Sequence, residues 1–327
     1  MPSKLQPELD EGAREKPDHG GPAVTVTTVL YNSEASLPRY AEALAPSVGH
    51  GSVRVVAVDN ASPDRSAAAL RRLLPEAELI VNSANLGFAA GCNRAWPSVR
   101  SRYWLLLNPD VEAAAEELER LVEWMDRHPR VGLASPRLRG GDGNEEPVAR
   151  PHDGLWRPPF EVLRLHKLLP ERLRRHWLLP GRRTTPEIVD GWVPGAALIA
   201  RSEAVAEVGP LDERLFIYGE DREWCWRMSR AGWQVGACGE AEFTHGHGGS
   251  ARATWEEPER VRREVVGHLR ATRLMRGGAW ARAFALIAGL SLLAGSLDPR
   301  PRRGPATRRA RARHYLRWGL DPGGNGR

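Results

Sequence analysis

The chain has 327 residues, enough for one large domain or two around a sizeable core. Its 41% hydrophobic and 27% charged residues are those of a globular protein, which argues against a disordered or fibrous chain. The formal charge is +6, but residues 298–327 hold nine Arg and two Asp, so the body is near neutral and offers no basic groove for a nucleic acid.

In chain order, residues 1–22 are rich in Pro, Gly and charge, lack the apolar centre of a signal peptide, and are expected to be disordered. A β-branched run predicts a strand over 24–30, ending at Tyr31-Asn32. A helix is expected over 36–44, a strand over 53–58 ending at Asp59, a helix over 66–74 and a short strand over 78–81. The small-residue turn 85–91 leads into a helix through Trp96. A fourth strand over 103–107 closes at Asn108-Pro109-Asp110, and a long helix follows over 113–128. This alternation predicts an α/β fold with a mostly parallel sheet flanked by helices. Ligands of such sheets bind beyond the carboxyl ends of the strands, where Asn32, Asp59 and Asp110 fall.

Residues 140–186 break the rhythm; rich in Gly, Pro and Arg, they read as an irregular insertion able to cover the site. Structure is expected to resume with a strand over 193–200, helices over 202–208 and 220–231, and a strand over 234–238 before the His- and Gly-rich segment 244–250. A helix over 256–275 precedes an apolar stretch, 279–297, interrupted by Arg282, Gly289, Ser291 and Gly295. That stretch is short for a membrane span and reads as an in-plane amphipathic helix or one packed on the domain. The basic tail suits an anionic membrane surface or a solvated helix end. Cys92, Cys225 and Cys238 fit no zinc spacing and are expected to be reduced thiols of a cytosolic protein.

Three groups of residues carry chemistry. Asp110, an acid just after a buried strand, suits a divalent cation or an N-cap of the next helix. Glu220-Asp221 opens a helix after Phe216-Ile217-Tyr218, as a dipole-favoured pair or as a rigidly placed general base. Phe216, Tyr218, Trp224 and Trp226 read as a sugar platform or as core. His245 and His247, flanked by glycines, read as metal ligands or structural residues.

Taken in order, Tyr31-Asn32, Val58-Asp59-Asn60-Ala61-Ser62, Asn85-Leu86-Gly87-Phe88-Ala89-Ala90-Gly91-Cys92-Asn93, Leu107-Asn108-Pro109-Asp110-Val111, Pro194-Gly195-Ala196-Ala197, the run from Leu211 through Glu220-Asp221, then His245 and Ser250 resemble glycosyltransferase family 2. The likeness covers residues 24–250 and is greatest to its rhamnosyltransferase-like branch. The resemblance implies a GT-A fold over 23–250, Rossmann-like, with a donor-binding half (23–135), the insertion and an acceptor/catalytic half (187–250). A helical extension with a basic tail (251–327) would follow; its own apolar and Arg-rich residues lead to the expectation that 279–317 attaches to a membrane and is not needed for the chemistry. It further implies that Asp59, Tyr31 and Asn32 meet the donor nucleoside and that Asn85, Gly87, Phe88 and Asn93 line the donor pocket. Asp110 matches the last acid of the family's Asp-x-Asp, with Asn108 in place of the first; His245, or else His247, completes the site of a Mg²⁺ or Mn²⁺ ion. Asp221 matches the catalytic base beside Glu220, and Trp192, Gly195, Tyr218 and Trp224 would face the acceptor. The implied reaction is inverting transfer of a sugar, rhamnose from dTDP-rhamnose first, to a glycan, lipid-linked or cell-wall hydroxyl. Another nucleoside diphosphate sugar, a small-molecule acceptor, or binding without turnover are the alternatives.

Overall fold

The computed structural model of the protein describes residues 21–162, 187–246, 255–296 and 305–321. Residues 1–20, residues 163–186 of the expected insertion, His247, Ser250 and residues 322–327 lie outside the described residues. The first half alternates as the hydropathy pattern predicts: β1 (Val24–Leu30), α1 (Leu37–Gly49), β2 (Val53–Asp59), α2 (Ser66–Leu73), β3 (Glu78–Val81), α3 (Phe88–Ala95), β4 (Tyr103–Leu107), a two-residue β5 (Val111–Glu112) and α4 (Ala115–Arg127). β1 is buried along nearly its whole length, Thr25, Thr27 and Thr28 included, which is why it reads as a continuous β-branched run. β3, β2, β1 and β4 pair in parallel, in that order.

Beyond β4 the sheet is mixed, not mostly parallel. The remaining elements are β6 (Val131–Gly140), β7 (Glu145–Glu146), α5 (Arg157–Val162), β8 (Ala197–Arg201), α6 (Ser202–Val208), α7 (Glu220–Arg230) and β9 (Gln234–His245). β8 runs antiparallel to both β4 and β6, and β9 runs parallel to β6. β6 escapes the hydropathy reading because Gly132 and Pro136 interrupt it; Pro136 sits at a register shift against β9. β9 continues seven residues past its expected end at Cys238, carried by its pairing with β6. That extension sets His245 opposite Val111 of β5, next to Asp110.

The C-terminal extension is helical as expected: α8 (Glu257–Arg276), α9 (Gly278–Gly295) and α10 (Pro305–Leu320). It packs on the preceding half, as one of the two sequence readings has it. Val265 and Leu269 of α8 share a buried cluster with Ala281, Phe284, Ala285 and Ala288 of α9 and Tyr315 and Trp318 of α10. α8 also meets the start of α7 backbone to backbone: a Cβ on Gly267 would collide with the Tyr218 carbonyl, and one on Gly219 would come within 2.7 Å of the Gly267 carbonyl. A buried polar chain runs through the junction. Arg222 of α7 pairs with Asp153, whose Oδ2 is 2.5 Å from His268 Nε2, and His268 Nδ1 is 3.0 Å from the Tyr315 hydroxyl. α9 is long and apolar enough to cross a membrane by length and composition, yet one face of it is packed within the protein.

Candidate active site

The strand ends build the site. Asn32 and Ala61, just past β1 and β2, adopt positive φ (52° and 56°), as does Tyr218 ahead of α7 (65°). Such residues other than glycine are uncommon, and each stores strain of about 1–3 kcal/mol. Here all three flank the same end of the sheet. The Asn32 amide donates to Ser62 Oγ at 2.8 Å, locking the two loops together. Asp59 lies beneath them, 5% exposed, with Oδ1 buried and without a hydrogen-bond partner among the described residues. Burial pushes its carboxyl above the usual range, against a lowering contribution from the Ser62 amide. A buried acceptor left open at a strand end fits an N–H or O–H donor from a bound ligand. Tyr31 and Asn32 are half-buried at the same mouth.

The 85–93 turn does a different job from the one expected of all its residues. Asn60 holds it by donating to Asn85 Oδ1 (3.1 Å) and the Gly87 carbonyl (2.9 Å). Gly87 has φ 87°, and a Cβ there would collide with the Phe216 carbonyl, which accepts the Phe88 amide at 2.6 Å. Asn93 accepts from the Leu211 amide (3.1 Å) and donates to the Leu211 carbonyl (2.8 Å) and to Glu213 (3.0 Å), which uses its whole amide. Gly87, Phe88 and Asn93 therefore brace the turn against the 211–218 segment; only Asn85 keeps an amide group to offer a donor.

Asp110 does not cap α4, whose N-cap is Ala114. The turn that carries it is fixed by the Asn108 amide bonding to the Ala196 carbonyl at 2.9 Å. Asp110 Oδ1 is 3.7 Å from His245 Nε2, with side chains 7% and 15% exposed. On the far side of the ring, Nδ1 is 3.0 Å from Glu146. Burial lowers the imidazole pKa, but the Glu146 hydrogen bond and the Asp110 charge outweigh it, so the net shift is upward. A carboxylate on Nδ1–H orients the ring with Nε2 toward Asp110, the usual way of holding a histidine that can ligate a metal once Nε2 is deprotonated. Among the described residues no group of three or more Asp, Glu, His or Cys could hold an ion. One carboxylate and one imidazole do fit a Mg²⁺ or Mn²⁺ that completes its shell with phosphate oxygens and water. Glu146 escaped the sequence reading because it lies in the stretch read as irregular; the β7 pairing to β6 brings it to the site.

Glu220 and Asp221 begin α7, whose N-cap Gly219 makes no side-chain cap bond. Glu220 is buried, with Oε2 unpartnered among the described residues, whereas solvent reaches Asp221. Asp221 accepts the Gly195 amide on Oδ2 (3.0 Å) and the Arg222 amide on Oδ1 (2.8 Å). Burial raises both carboxyls; Arg222, these amides and Arg150 restrain Asp221, while the Asp221 charge adds to the rise in Glu220, pushed up to about 8. The negative charge of the pair therefore rests on Asp221. Glu220→Gln should consequently stabilise the protein at pH 8 relative to wild type by about 1–3 kcal/mol. The sign follows from the folded pKa lying above the unfolded one: wild type loses stability as pH climbs from the unfolded value toward 8, and the advantage vanishes near pH 4. Urea denaturation at the two pH values checks it.

Of the residues expected at the acceptor, Trp192 is half-buried beside Asp221's partner Gly195, and Tyr218 is half-buried ahead of α7. Trp224 is corrected to core: it is 0% exposed, stacks edge-on to Trp104 at 5.9 Å and donates to the Gly209 carbonyl. Helical spacing points it into the domain, away from any acceptor.

Residues 25–184 match the family described as Glycosyl transferase family 2, a stretch that includes Asp59 and Asp110. The chain is a family 2 glycosyltransferase. It is 28% identical over 275 residues to the N-acetylglucosaminyl-diphospho-decaprenol L-rhamnosyltransferase of Mycobacterium tuberculosis, across 79% of this chain and 86% of that one, on the rhamnosyltransferase-like side of the family. Its GT-A fold matches a mannosyltransferase from Pyrobaculum calidifontis solved with GDP-Man and Mn²⁺ (TM-score 0.55, 16% identity, 94% and 89% of the two chains). It also matches glucosyl-3-phosphoglycerate synthase from Mycobacterium tuberculosis, solved with Mn²⁺, UDP and glucosyl-3-phosphoglycerate (TM-score 0.50, 15% identity, 77% and 80%). This family 2 glycosyltransferase transfers sugar from a nucleotide sugar.

Proposed function

We propose that the enzyme moves rhamnose from dTDP-rhamnose to a hydroxyl of a glycan carried on a lipid diphosphate, in a single inverting displacement. The observation that carries the reaction type is Asp221, a solvent-reached carboxylate held by two backbone amides at the start of a rigid helix. Asp221 accepts the proton of the acceptor hydroxyl as its oxygen attacks C1 of the donor sugar from the face opposite the leaving diphosphate. Glu220, kept neutral behind it, does not compete for that proton. Asp59, Tyr31, Asn32 and Asn85 hold the nucleoside, and Asn108 lies beside the diphosphate. Trp192, Gly195 and Tyr218 form the acceptor side. Asp110 and His245 would hold a Mg²⁺ or Mn²⁺ ion, which neutralises charge developing on the leaving group.

Donor and acceptor classes rest on the printed name of the Mycobacterium tuberculosis relative, which contains both the rhamnosyl group and the diphospho-decaprenol carrier. A lipid carrier suits the extension: Leu290 and Leu293 of α9 and Leu320 of α10 are exposed, and Arg309, Arg313 and Arg317 follow at fourfold spacing on the exposed face of α10. The protein would work in the cytoplasm, held at the inner membrane face; its three cysteines are all free and buried. Transfer assays with dTDP-, UDP- and GDP-sugars test the donor; failure of dTDP-rhamnose beside success of another sugar would reassign it. For the ion, Mn²⁺ is expected to tighten dTDP binding to wild type at least about tenfold and to have no such effect on Asp110→Ala. Calorimetric titration with and without chelator reads this, and equal Mn²⁺ dependence in both proteins would remove Asp110 from the metal site.

A further inference from the structure

We propose that Arg150 is a phosphoryl-binding residue at the transfer site, presented there on the face of Trp192. This rests on the reading of the Asp221 cleft as the place of transfer. The chain crosses itself at this point. Arg150 and Trp192 exchange backbone hydrogen bonds of 2.9 and 2.7 Å, and Gly191 packs so closely that a Cβ there would collide with the Arg150 carbonyl. The crossing fixes where both side chains start. The Arg150 guanidinium then lies over the Trp192 ring, 5.3 Å from its centroid, while Arg222 lies over the same ring at 4.9 Å.

The two cations are not equivalent. Arg222 is buried and paired with Asp153, so its charge is answered within the protein. Arg150 makes no ion pair and no side-chain hydrogen bond with the described residues. Solvent reaches it, yet burial lowers its pKa, and Asp221 is the acid whose charge acts on it most. Geometry agrees: Arg222, whose amide Asp221 accepts, lies over the same ring, so Trp192 presents the exposed Arg150 guanidinium near the base. A stacked guanidinium has its plane fixed and its fork of N–H donors free, the geometry that receives two oxygens of a phosphoryl group. A neutral acceptor sugar gives such a group nothing to pair with. The proposed reaction offers two phosphoryl sources: the diphosphate of the leaving nucleotide, and a diphosphate joining the acceptor sugar to its carrier. An arginine merely resting on tryptophan would be dispensable to both.

The test compares wild type, Arg150→Gln and Arg150→Lys as full-length proteins in two calorimetric arms. In the first, dTDP is titrated in the presence of Mn²⁺; if dTDP-rhamnose is not the donor, UDP or GDP takes its place, so an error in the donor leaves this test standing. In the second, geranyl diphosphate is titrated into protein already saturated with Mn²⁺ and that nucleotide. Arg150→Gln is expected to weaken one of the two by roughly tenfold or more, with Arg150→Lys recovering part of the loss. Loss confined to geranyl diphosphate assigns Arg150 to the acceptor, and loss confined to the nucleotide assigns it to the leaving group. Unchanged affinity in both arms overturns the proposal, as does wild type binding no geranyl diphosphate while its nucleotide affinity is indifferent to the substitution. The melting temperature should stay near wild type, since only the exposed stacking on Trp192 is lost; should Arg150→Gln fail to fold, Arg150→Lys alone decides, because it keeps the charge but not the fork.

Discussion

Asp221→Asn should lower turnover by roughly 10²-fold or more while nucleotide-sugar affinity stays near wild type. The substitution keeps shape and removes the proton acceptor. The amide oxygen can still take one of the two backbone N–H groups, from Gly195 or from Arg222, while its NH₂ faces the other. A stability loss of about 1–3 kcal/mol is therefore expected alongside the catalytic one, and turnover is compared at a temperature where both proteins are folded. Glu220→Gln is the matching control. Glu220 is neutral through the working range, so this variant should retain most of its turnover below pH 8. Wild-type turnover should fall as pH drops through the raised pKa of Asp221, since the protonated acid cannot accept the hydroxyl proton. Normal transfer by Asp221→Asn, or collapse of Glu220→Gln, would move the base to Glu220.

Much of this was legible in the sequence, for a physical reason. β1, β2 and β4 are short and buried on both faces, so β-branched and apolar runs mark them almost to the residue, and the acids at their ends stand where a parallel sheet places ligands. β6 was hidden by Gly132 and Pro136, and the far half of β9 by its charged residues Glu240 and Glu242. Those strands depend on their neighbours for pairing, a long-range property that local pattern does not carry. The same limit explains the site residues that were missed. Glu146 and Arg150 come to the site through a strand pair and a chain crossing. Asn93 and Trp224 show the opposite error: their residue types suited a ligand, but tertiary contacts had already engaged them.

The sequence leaves the extension open between membrane-lying and packed, the structure packs it, and it yields the second large effect. A chain ending at Met275 is expected to lose the folded catalytic half, seen as aggregation or a broad, early melting transition. Truncation strips Phe284, Ala285, Ala288, Tyr315 and Trp318 from the face of α8, exposing Val265 and Leu269. Removing one large aromatic from a core costs about 3–5 kcal/mol, so losing several exceeds the roughly 5–15 kcal/mol that holds a domain together. It also takes the Tyr315 hydroxyl from His268, leaving the Asp153–Arg222 pair at the start of the catalytic helix without its outer support. Tyr315→Phe isolates that last contribution, at about 1–2 kcal/mol. Membrane attachment needs a gentler variant, because truncation destroys both properties at once. Replacing Leu290, Leu293 and Leu320 together by Ser touches only exposed side chains, so fold and transfer to a soluble acceptor should survive. Co-sedimentation with anionic vesicles at low salt should drop sharply, because the arginines attract the surface but the leucines enter it. A folded, active chain ending at Met275 would show that the extension is a mere appendage. Full-length protein that ignores anionic vesicles would leave the extension a structural brace alone.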